Sequence, residues 1–246
     1  MNGLAPLPTR KQEDFRYSDI DALTGVWPVP VEDILVPTSQ STTLSIVEDG
    51  GERAVARHLS VVVEDGAAFD LRVLNTGPAF GRIAVDAWLG RGASFTLGAA
   101  QLGGGTQTLE IVTEVTHAQP DAVSRQIVRT VLADRATGTY LGRIAVERGA
   151  DGTDAEQSVR AMLLSRTATA NARPELEIFA DDVKCAHGCA VGELDAAGLF
   201  YLQARGLTPA QAKRLMLQAF VAEAFAGAPE EAALTDKALA RLGDLV

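Results

Sequence analysis

Short runs of alternating apolar and polar residues fill the chain from about residue 39 to residue 194. Residues 82–89 and 109–115 each place apolar side chains on one face. These are Ile83, Val85, Ala87 and Leu89, then Leu109, Ile111 and Val115, with Glu110 and Glu114 on the opposite face. Alternation at period two predicts half-buried β-strands. No long segment of period 3.6 interrupts them, which disfavours crossover helices and a doubly wound sheet.

A sequence echo within this region indicates repeated turns of chain. Residues 66–71 read Gly-Ala-Ala-Phe-Asp-Leu, and residues 92–97, which begin 26 positions later, read Gly-Ala-Ser-Phe-Thr-Leu. A turn residue, a small residue and alternating apolar residues at this period are typical of the rungs of a solenoid. On spacing alone, a β-solenoid and a β-sandwich are equally good interpretations of the pattern.

The two segments that flank the strand-rich region have different residue patterns. Residues 1–38 are punctuated by prolines; they predict a small N-terminal arm with one short helix over 12–23 and an extended connector over 28–37. After Leu194 three helices are predicted, the first capped by Asp195 and ended by Gly206. A capping box from Thr208 to Gln211 opens the second helix, and the third covers 229–242. The sequence therefore divides into an arm (1–38), a core (39–194) and a helical region (195–246).

The second predicted helix is amphipathic. Its apolar stripe is formed by Ala212, Leu215, Met216, Ala219 and Phe220. An amphipathic tail of this kind packs on its own body or offers a face to a partner.

Charge and composition exclude several classes of protein. The chain carries 32 acidic and 22 basic residues, a net charge of −10, without a dense Lys/Arg cluster. Nucleic acid is therefore not expected as a partner. The sequence also contains neither a secretory signal pattern nor an apolar run of about 18 residues, so we expect a cytoplasmic protein that makes no membrane contact. Its two cysteines, Cys185 and Cys189, are expected to be free thiols.

The densest group of potential metal ligands is Cys185-Ala-His187-Gly-Cys189. Positions i, i+2 and i+4 share one face of a strand, and thiolates and imidazole suit iron–sulfur clusters, zinc or copper(I). Three ligands on one strand cannot complete a tetrahedron, so a cluster here needs ligands from another strand or another chain. The alternative is packing, because cysteine is often buried as a small apolar residue.

The remaining candidates for chemistry are weaker. His58 and His117 have no partner at a recognised ligand spacing, and no nucleophile-type turn supports a Cys185–His117 dyad. The run Gly103-Gly104-Gly105-Thr106 lacks the Lys and Ser/Thr of a Walker loop and is better interpreted as a tight bend. Self-contained ATP hydrolysis is therefore not expected.

Residues 174–188 carry a more specific signal than any of these motifs. They read Pro-Glu-Leu-Glu-Ile-Phe-Ala-Asp-Asp-Val-Lys-Cys-Ala-His-Gly, and Val-Gly-Glu-Leu-Asp follows over 191–195. This sequence resembles the SufB/SufD family of the SUF iron–sulfur cluster assembly system, and its SufD branch in particular. The resemblance continues through Leu199-Phe200-Tyr201-Leu202 and Arg205-Gly206. It is dense over about residues 140–225 and loose over 40–135.

The resemblance implies a right-handed parallel β-helix core, which decides between the solenoid and the sandwich. It also implies a scaffold subunit that is not an enzyme itself. In this family a SufB-like protein pairs through the last strands of the β-helix, and a SufC-like ATPase docks on the C-terminal helices. An iron–sulfur cluster or iron would be held transiently and shared with the SufB-like protein, with no cofactor tightly bound to the isolated chain.

The resemblance assigns the metal site to Cys185 and His187, with His187 the stronger candidate. Cys189 stands where the family usually has a small residue, which favours a packing substitution over a third ligand.

About forty residues precede the core, whereas SufD proteins often carry a long N-terminal helical domain. An open edge strand also predicts that the isolated chain forms a homodimer. The alternatives are a stand-alone metal-binding enzyme that uses Cys185, His187 and Cys189, and a purely structural solenoid.

Overall fold

The computed structural model describes residues 6–49, 51 and 53–246, in which the chain winds between two parallel β-sheets. The strands are β1 (Val31–Val36), β2 (Ser41–Glu48), β3 (Ala54–Val63), β4 (Ala68–Asn75), β5 (Phe80–Leu89), β6 (Ser94–Gly103), β7 (Thr108–His117), β8 (Val123–Leu132), β9 (Thr137–Val146), β10 (Asp154–Leu163), β11 (Thr169–Ile178) and β12 (Lys184–Gly192). Odd-numbered strands form one six-stranded sheet and even-numbered strands form the other. The described part of the chain is thus a parallel β-helix of six turns, as predicted from the resemblance.

The register between strands explains the sequence echo. Leu71 of β4 pairs with Leu97 of β6, and both point into the space between the sheets. The glycine that opens each echo lies at a turn, where Gly66 and Gly92 have φ of 63° and 61°. Such angles favour glycine because it has no Cβ. The apolar faces predicted for residues 82–89 and 109–115 are buried in this interior, which confirms the strand interpretation.

The arm lies on the outer face of the odd-numbered sheet. It contains a 3-10 turn at Glu13–Phe15 and helix α1 at Ile20–Thr24. Ser18 Oγ donates to Glu110 Oε2 at 2.7 Å, and Arg82 Nη1 pairs with the same oxygen at 2.6 Å. Glu110 is 0% exposed, so this acid, which faces away from the interior as predicted, is enclosed beneath the arm.

Strand β1 lies inside the stretch that the sequence assigns to the arm. The prolines at 30 and 37 bound this strand and do not interrupt it, which is a position that sheets tolerate. The first turn of the β-helix therefore begins before residue 39.

The helical region consists of α2 (Ala196–Ala204), α3 (Pro209–Ala222) and α4 (Glu231–Leu245). Its predicted start and stop signals are confirmed. The Asp195 side chain accepts hydrogen bonds from the first turn of α2, Gly206 has φ of 97°, and Thr208 and Gln211 form the reciprocal capping box.

The apolar stripe predicted for α3 is correct only in part. Ala212 is buried and Phe220 packs against the cluster shared with the sheet, whereas Leu215 and Ala219 are exposed. The buried residues are Ala212, Leu217 and Val221, while Leu215 is exposed. Residues 215–222 are apolar at so many positions that several stripes fit the sequence. Contact with the sheet selects one of them.

Helices α3 and α4 pack on the outer face of the even-numbered sheet. Leu74, Leu102 and Val131 of the sheet form one apolar cluster with Leu217 and Phe225 of the helical region. The fully buried Arg129 adds an ion pair to Glu223, with Nη2 and Oε2 at 2.8 Å. The backbones approach closely at Gly98, where a Cβ would lie 1.8 Å from the carbonyl oxygen of Ala224.

The final turn leaves β11 and β12 as the last strands of their sheets. Pro174 lies in the middle of β11 and pairs in register with Gly142 of β9. Proline lacks an N–H, so it is compatible with a strand only at an edge or a bulge. Among the described residues, no helix has the length and apolar character needed to cross a membrane.

Candidate functional site on the last turn

The Cys-x-His-x-Cys segment forms most of strand β12. Cys185, His187 and Cys189 pair in register with Ala155, Gln157 and Val159 of β10. Those three β10 residues are buried, so this row of side chains faces the interior of the solenoid. Because β12 is the last strand of its sheet, His187 and Cys189 are exposed and Cys185 is half-buried. The sequence correctly predicts that the three side chains share one face.

Cys185 is the most enclosed of the three. It packs against an apolar cluster that includes Ile144, Val146 and Ala155. Burial raises the pKa of the Cys185 thiol; a backbone hydrogen bond from Ala155 opposes the shift and the charge of Asp154 adds to it. Metal ligation by this sulfur therefore requires the loss of a proton.

Cys189 lies near the backbone of β11. Its Sγ is 3.9 Å from the carbonyl oxygen of Ala172, a weak contact in which the thiol is the donor. Partial shielding by its surroundings raises the pKa of this thiol as well. Cys189 is thus an exposed thiol on the last strand of the solenoid.

The three side chains do not close around a single ion. Residues two apart along a strand are separated by about 6.6 Å, so Cys185 and Cys189 are about 13 Å apart along the backbone. Within the described part of the chain, no group of three or more His, Cys, Asp or Glu side chains is arranged to hold a metal ion. These three side chains therefore do not form a ligand set for one ion by themselves.

The other two histidines have separate structural roles. His58 Nε2 lies 2.7 Å from Asp86 Oδ2, and this hydrogen bond raises the pKa of the ring. His117 is fully buried, its Nε2 is 2.9 Å from Ser124 Oγ, and burial lowers its pKa to about 4.

A Cys185–His117 dyad does not form. Ser124, the partner of His117, shares an interior row with Cys185, but β10 lies between their strands. Two strand spacings amount to about 10 Å, well beyond hydrogen-bond reach. The glycine run at 103–105 lies at the end of β6 and the following turn, where Gly105 has φ of 60°.

Sequence reasoning missed a polar network behind His187. Tyr140 Oη is 3.2 Å from Gln126 Oε1, 3.0 Å from Thr113 Oγ1 and 2.8 Å from Gln157 Nε2. All four side chains are buried within an otherwise apolar interior. The available signal was a glutamine at an inward position of both β8 and β10, where alternation predicts an apolar residue.

The fold and this face together define a solenoid protein whose last turn presents two thiols and one imidazole in a single row. Residues 29–220 match the family model for the SufBD core domain of SUF system FeS cluster assembly. The chain belongs to this family.

Several curated relatives agree with the match. The iron–sulfur cluster assembly protein SufD of Escherichia coli is 37% identical over 120 residues, which cover 49% of this chain and 28% of that protein. SufD of Bacillus subtilis is 34% identical over 121 residues, with the same two coverages. The chloroplastic protein ABCI7 of Arabidopsis thaliana is 31% identical over 202 residues, covering 80% of this chain and 42% of that protein. The chain thus spans less than half the length of these relatives.

Proposed function

We propose that this protein is a non-catalytic scaffold subunit of an iron–sulfur cluster assembly complex. It pairs with a SufB-like protein through the last turn of the solenoid and docks a SufC-like ATPase on its helical region. Iron or a nascent cluster is cargo, held at the junction between subunits by His187 and Cys185. Relatives whose names state iron–sulfur cluster assembly support this role.

The observation that carries the proposal is the incomplete ligand face on an open turn. Cys185 and His187 lie where the solenoid ends, and the described residues do not complete a ligand set around them. The adjoining strands β11 and β12 have one unpaired edge each, and such edges recruit strands from other chains. A subunit that supplies the missing donors and covers the edges at once fits both features.

The helical region offers a separate docking surface. Phe200 and Tyr201 of α2 are 75% and 57% exposed, and Leu215 of α3 is exposed nearby. Helix α2 is held mainly by its neighbour α3, so its apolar outer face is available to a partner. An apolar helix face of this kind suits a groove on a globular ATPase.

Co-purification with the SufB-like and SufC-like proteins of the same source tests the proposal. We expect a stable complex with both partners. Val191→Arg places a charge on the last strand and should release the SufB-like protein, because a desolvated unpaired charge is costly at an interface. Val62→Arg is the matched control, since Val62 is equally apolar and exposed but lies on the outer face of β3. The proposed interface is contradicted if both variants lose both partners. It is also contradicted if neither variant loses a partner.

A second pair of variants addresses the helical region. Phe200→Ala should weaken binding of the SufC-like protein while leaving the SufB-like protein bound. Trp88→Ala removes an exposed aromatic residue from β5 and should change neither interaction. If the Phe200→Ala variant still binds the SufC-like protein as the wild type does, the proposed docking on the helical region is contradicted.

Within an intact complex, His187→Ala should abolish cluster formation on the scaffold, measured by visible absorbance after anaerobic reconstitution. Cys185→Ala should reduce it, and Cys189→Ala should leave it unchanged. If the isolated chain instead binds stoichiometric iron and ignores both partners, the stand-alone metalloprotein replaces the scaffold.

A further inference from the structure

The buried amide of Gln157 has one hydrogen-bonding atom without a partner. Its Nε2 donates to Tyr140 Oη at 2.8 Å, whereas its Oε1 makes no hydrogen bond although the side chain is 0% exposed. An unpaired buried acceptor is destabilising, and such groups in folded proteins usually have a reason.

His187 is the residue next to Gln157 in the interior row. The two pair in register on the adjacent parallel strands β10 and β12 and point to the same side. Strands in a sheet are about 4.8 Å apart, so an imidazole N–H at this position is within reach of the Gln157 carbonyl oxygen. The His187 ring is exposed beyond it, at the end of the solenoid.

We propose that Gln157 is a positioning residue for His187. Its Oε1 accepts the N–H of one ring nitrogen, so that the other nitrogen carries the lone pair and faces the partner subunit. Ligating histidines commonly have their second nitrogen fixed in this way by an acceptor. The role of this tautomer in iron binding rests on the function proposed above; the hydrogen bond itself does not.

Tyr140 keeps the amide in the required orientation. The Tyr140 hydroxyl lies 3.2 Å from Gln126 Oε1, to which it donates, and it therefore accepts from Gln157 Nε2. This contact turns Oε1 of Gln157 away from the hydroxyl. Gly142 makes room for the pair, because a Cβ there would lie 2.3 Å from Tyr140 Oη and 2.5 Å from Gln157 Nε2.

The competing partner for the free oxygen is the Gln126 amide, one strand further from the open end. Gln126 Nε2 is also buried and unpaired, so a rotation of either side chain would join the two glutamines. In that arrangement Gln157 would have no influence on His187. The two possibilities predict opposite results for the same variants.

The test is the tautomer of His187 in the full chain, read from long-range proton–nitrogen correlation spectra at alkaline pH, where imidazoles are neutral. The chain has three histidines, and the ring signal that is lost in His187→Ala is the signal of His187. We expect one dominant tautomer in the wild type and a mixture in Gln157→Met, which keeps the length and loses the acceptor. Gln126→Met, the matched control in the same network, should retain the wild-type tautomer. An unchanged tautomer in Gln157→Met overturns the inference.

Iron affinity of the complex separates this inference from the proposed function. Gln157→Met should weaken ferrous iron binding by about tenfold, the usual consequence of losing such an acceptor, and Gln126→Met should have a smaller effect. Unchanged affinity in Gln157→Met, in a complex that still depends on His187, would contradict the positioning role. If His187→Ala has no effect on iron while Gln157→Met still changes the tautomer, the hydrogen bond stands and the proposed function fails.

Discussion

Phe69 and Phe95 stack on each other across β4 and β6, with ring centroids 6.1 Å apart and ring planes inclined by 25°. They are partners in the strand register and occupy the same position of the sequence echo. Both rings are buried between the sheets. The repeat visible in the sequence is therefore a physical stack, in which each turn buries the aromatic ring of its neighbour.

Truncation of this stack should be costly. Phe95→Ala removes a buried ring and leaves a cavity, so we expect the free energy of unfolding to fall by about 3–5 kcal/mol in urea titrations. Trp88→Ala, at a residue that is 50% exposed, should change the free energy by less than about 1 kcal/mol. Similar losses for both variants would show that the buried stack stabilises the fold no more than an exposed aromatic residue does.

The ion pair beneath the arm should be worth more than an ion pair at the surface. Arg82→Met leaves the buried carboxylate of Glu110 without its cation and should cost about 3–5 kcal/mol of stability. Arg91→Met breaks an exposed pair with Asp121, whose closest atoms are 4.0 Å apart, and should cost less than about 1 kcal/mol. Limited proteolysis of the arm in Arg82→Met would show whether it has also detached.

His117 should make stability fall in mildly acidic solution. Burial lowers its pKa to about 4 from an ordinary value of 6.5, so the unfolded chain binds the proton first as the pH falls. Above about pH 7.5 the ring is neutral in both states and stability is unaffected, and about 2 kcal/mol should be lost between about pH 7.5 and about pH 5. His117→Gln should flatten this part of the pH profile by that amount, whatever its stability at neutral pH. A profile of unchanged slope would show that His117 is not the group responsible.

Gly98 should be essential for docking of the helical region. In Gly98→Ala the new methyl group would overlap the carbonyl oxygen of Ala224, so we expect faster hydrogen exchange in α3 and α4 and a loss of about 1–3 kcal/mol. Gly243→Ala, within α4, meets no atom within 4 Å and should instead stabilise the helix by about 0.5–1 kcal/mol. Undisturbed exchange in Gly98→Ala would contradict the close approach of the two backbones.

The elements with strong local signals were predictable from the sequence. Period-two alternation identifies the strands, and the pairing of Leu71 with Leu97 follows the echo residue by residue. The capping box from Thr208 to Gln211 marks the start of α3 correctly. The strands and the cap depend on a few neighbouring residues, and the pairing follows because the same local pattern recurs 26 positions later.

Features set by distant contacts were not predictable. Nothing local shows that Glu110 is enclosed by an arm that lies 92 residues earlier in the chain, since an alternating pattern places it on a polar face. The buried stripe of α3 depends on which side of the helix the sheet contacts. Leu217 is therefore buried where the sequence predicted Leu215. At the site, the sequence placed His187 on the shared face but could not show that Gln157 lies behind it.

Pro174 gives the two strands of the final turn unequal edges. Strand β11 carries a residue without an N–H, whereas β12 has an unbroken series of amides from Lys184 to Gly192. An added strand would therefore find a continuous ladder on one side of the mouth and an interrupted one on the other. The interrupted edge makes the end-to-end addition of further identical solenoids less favourable, so this end favours a single capping molecule over a growing fibre.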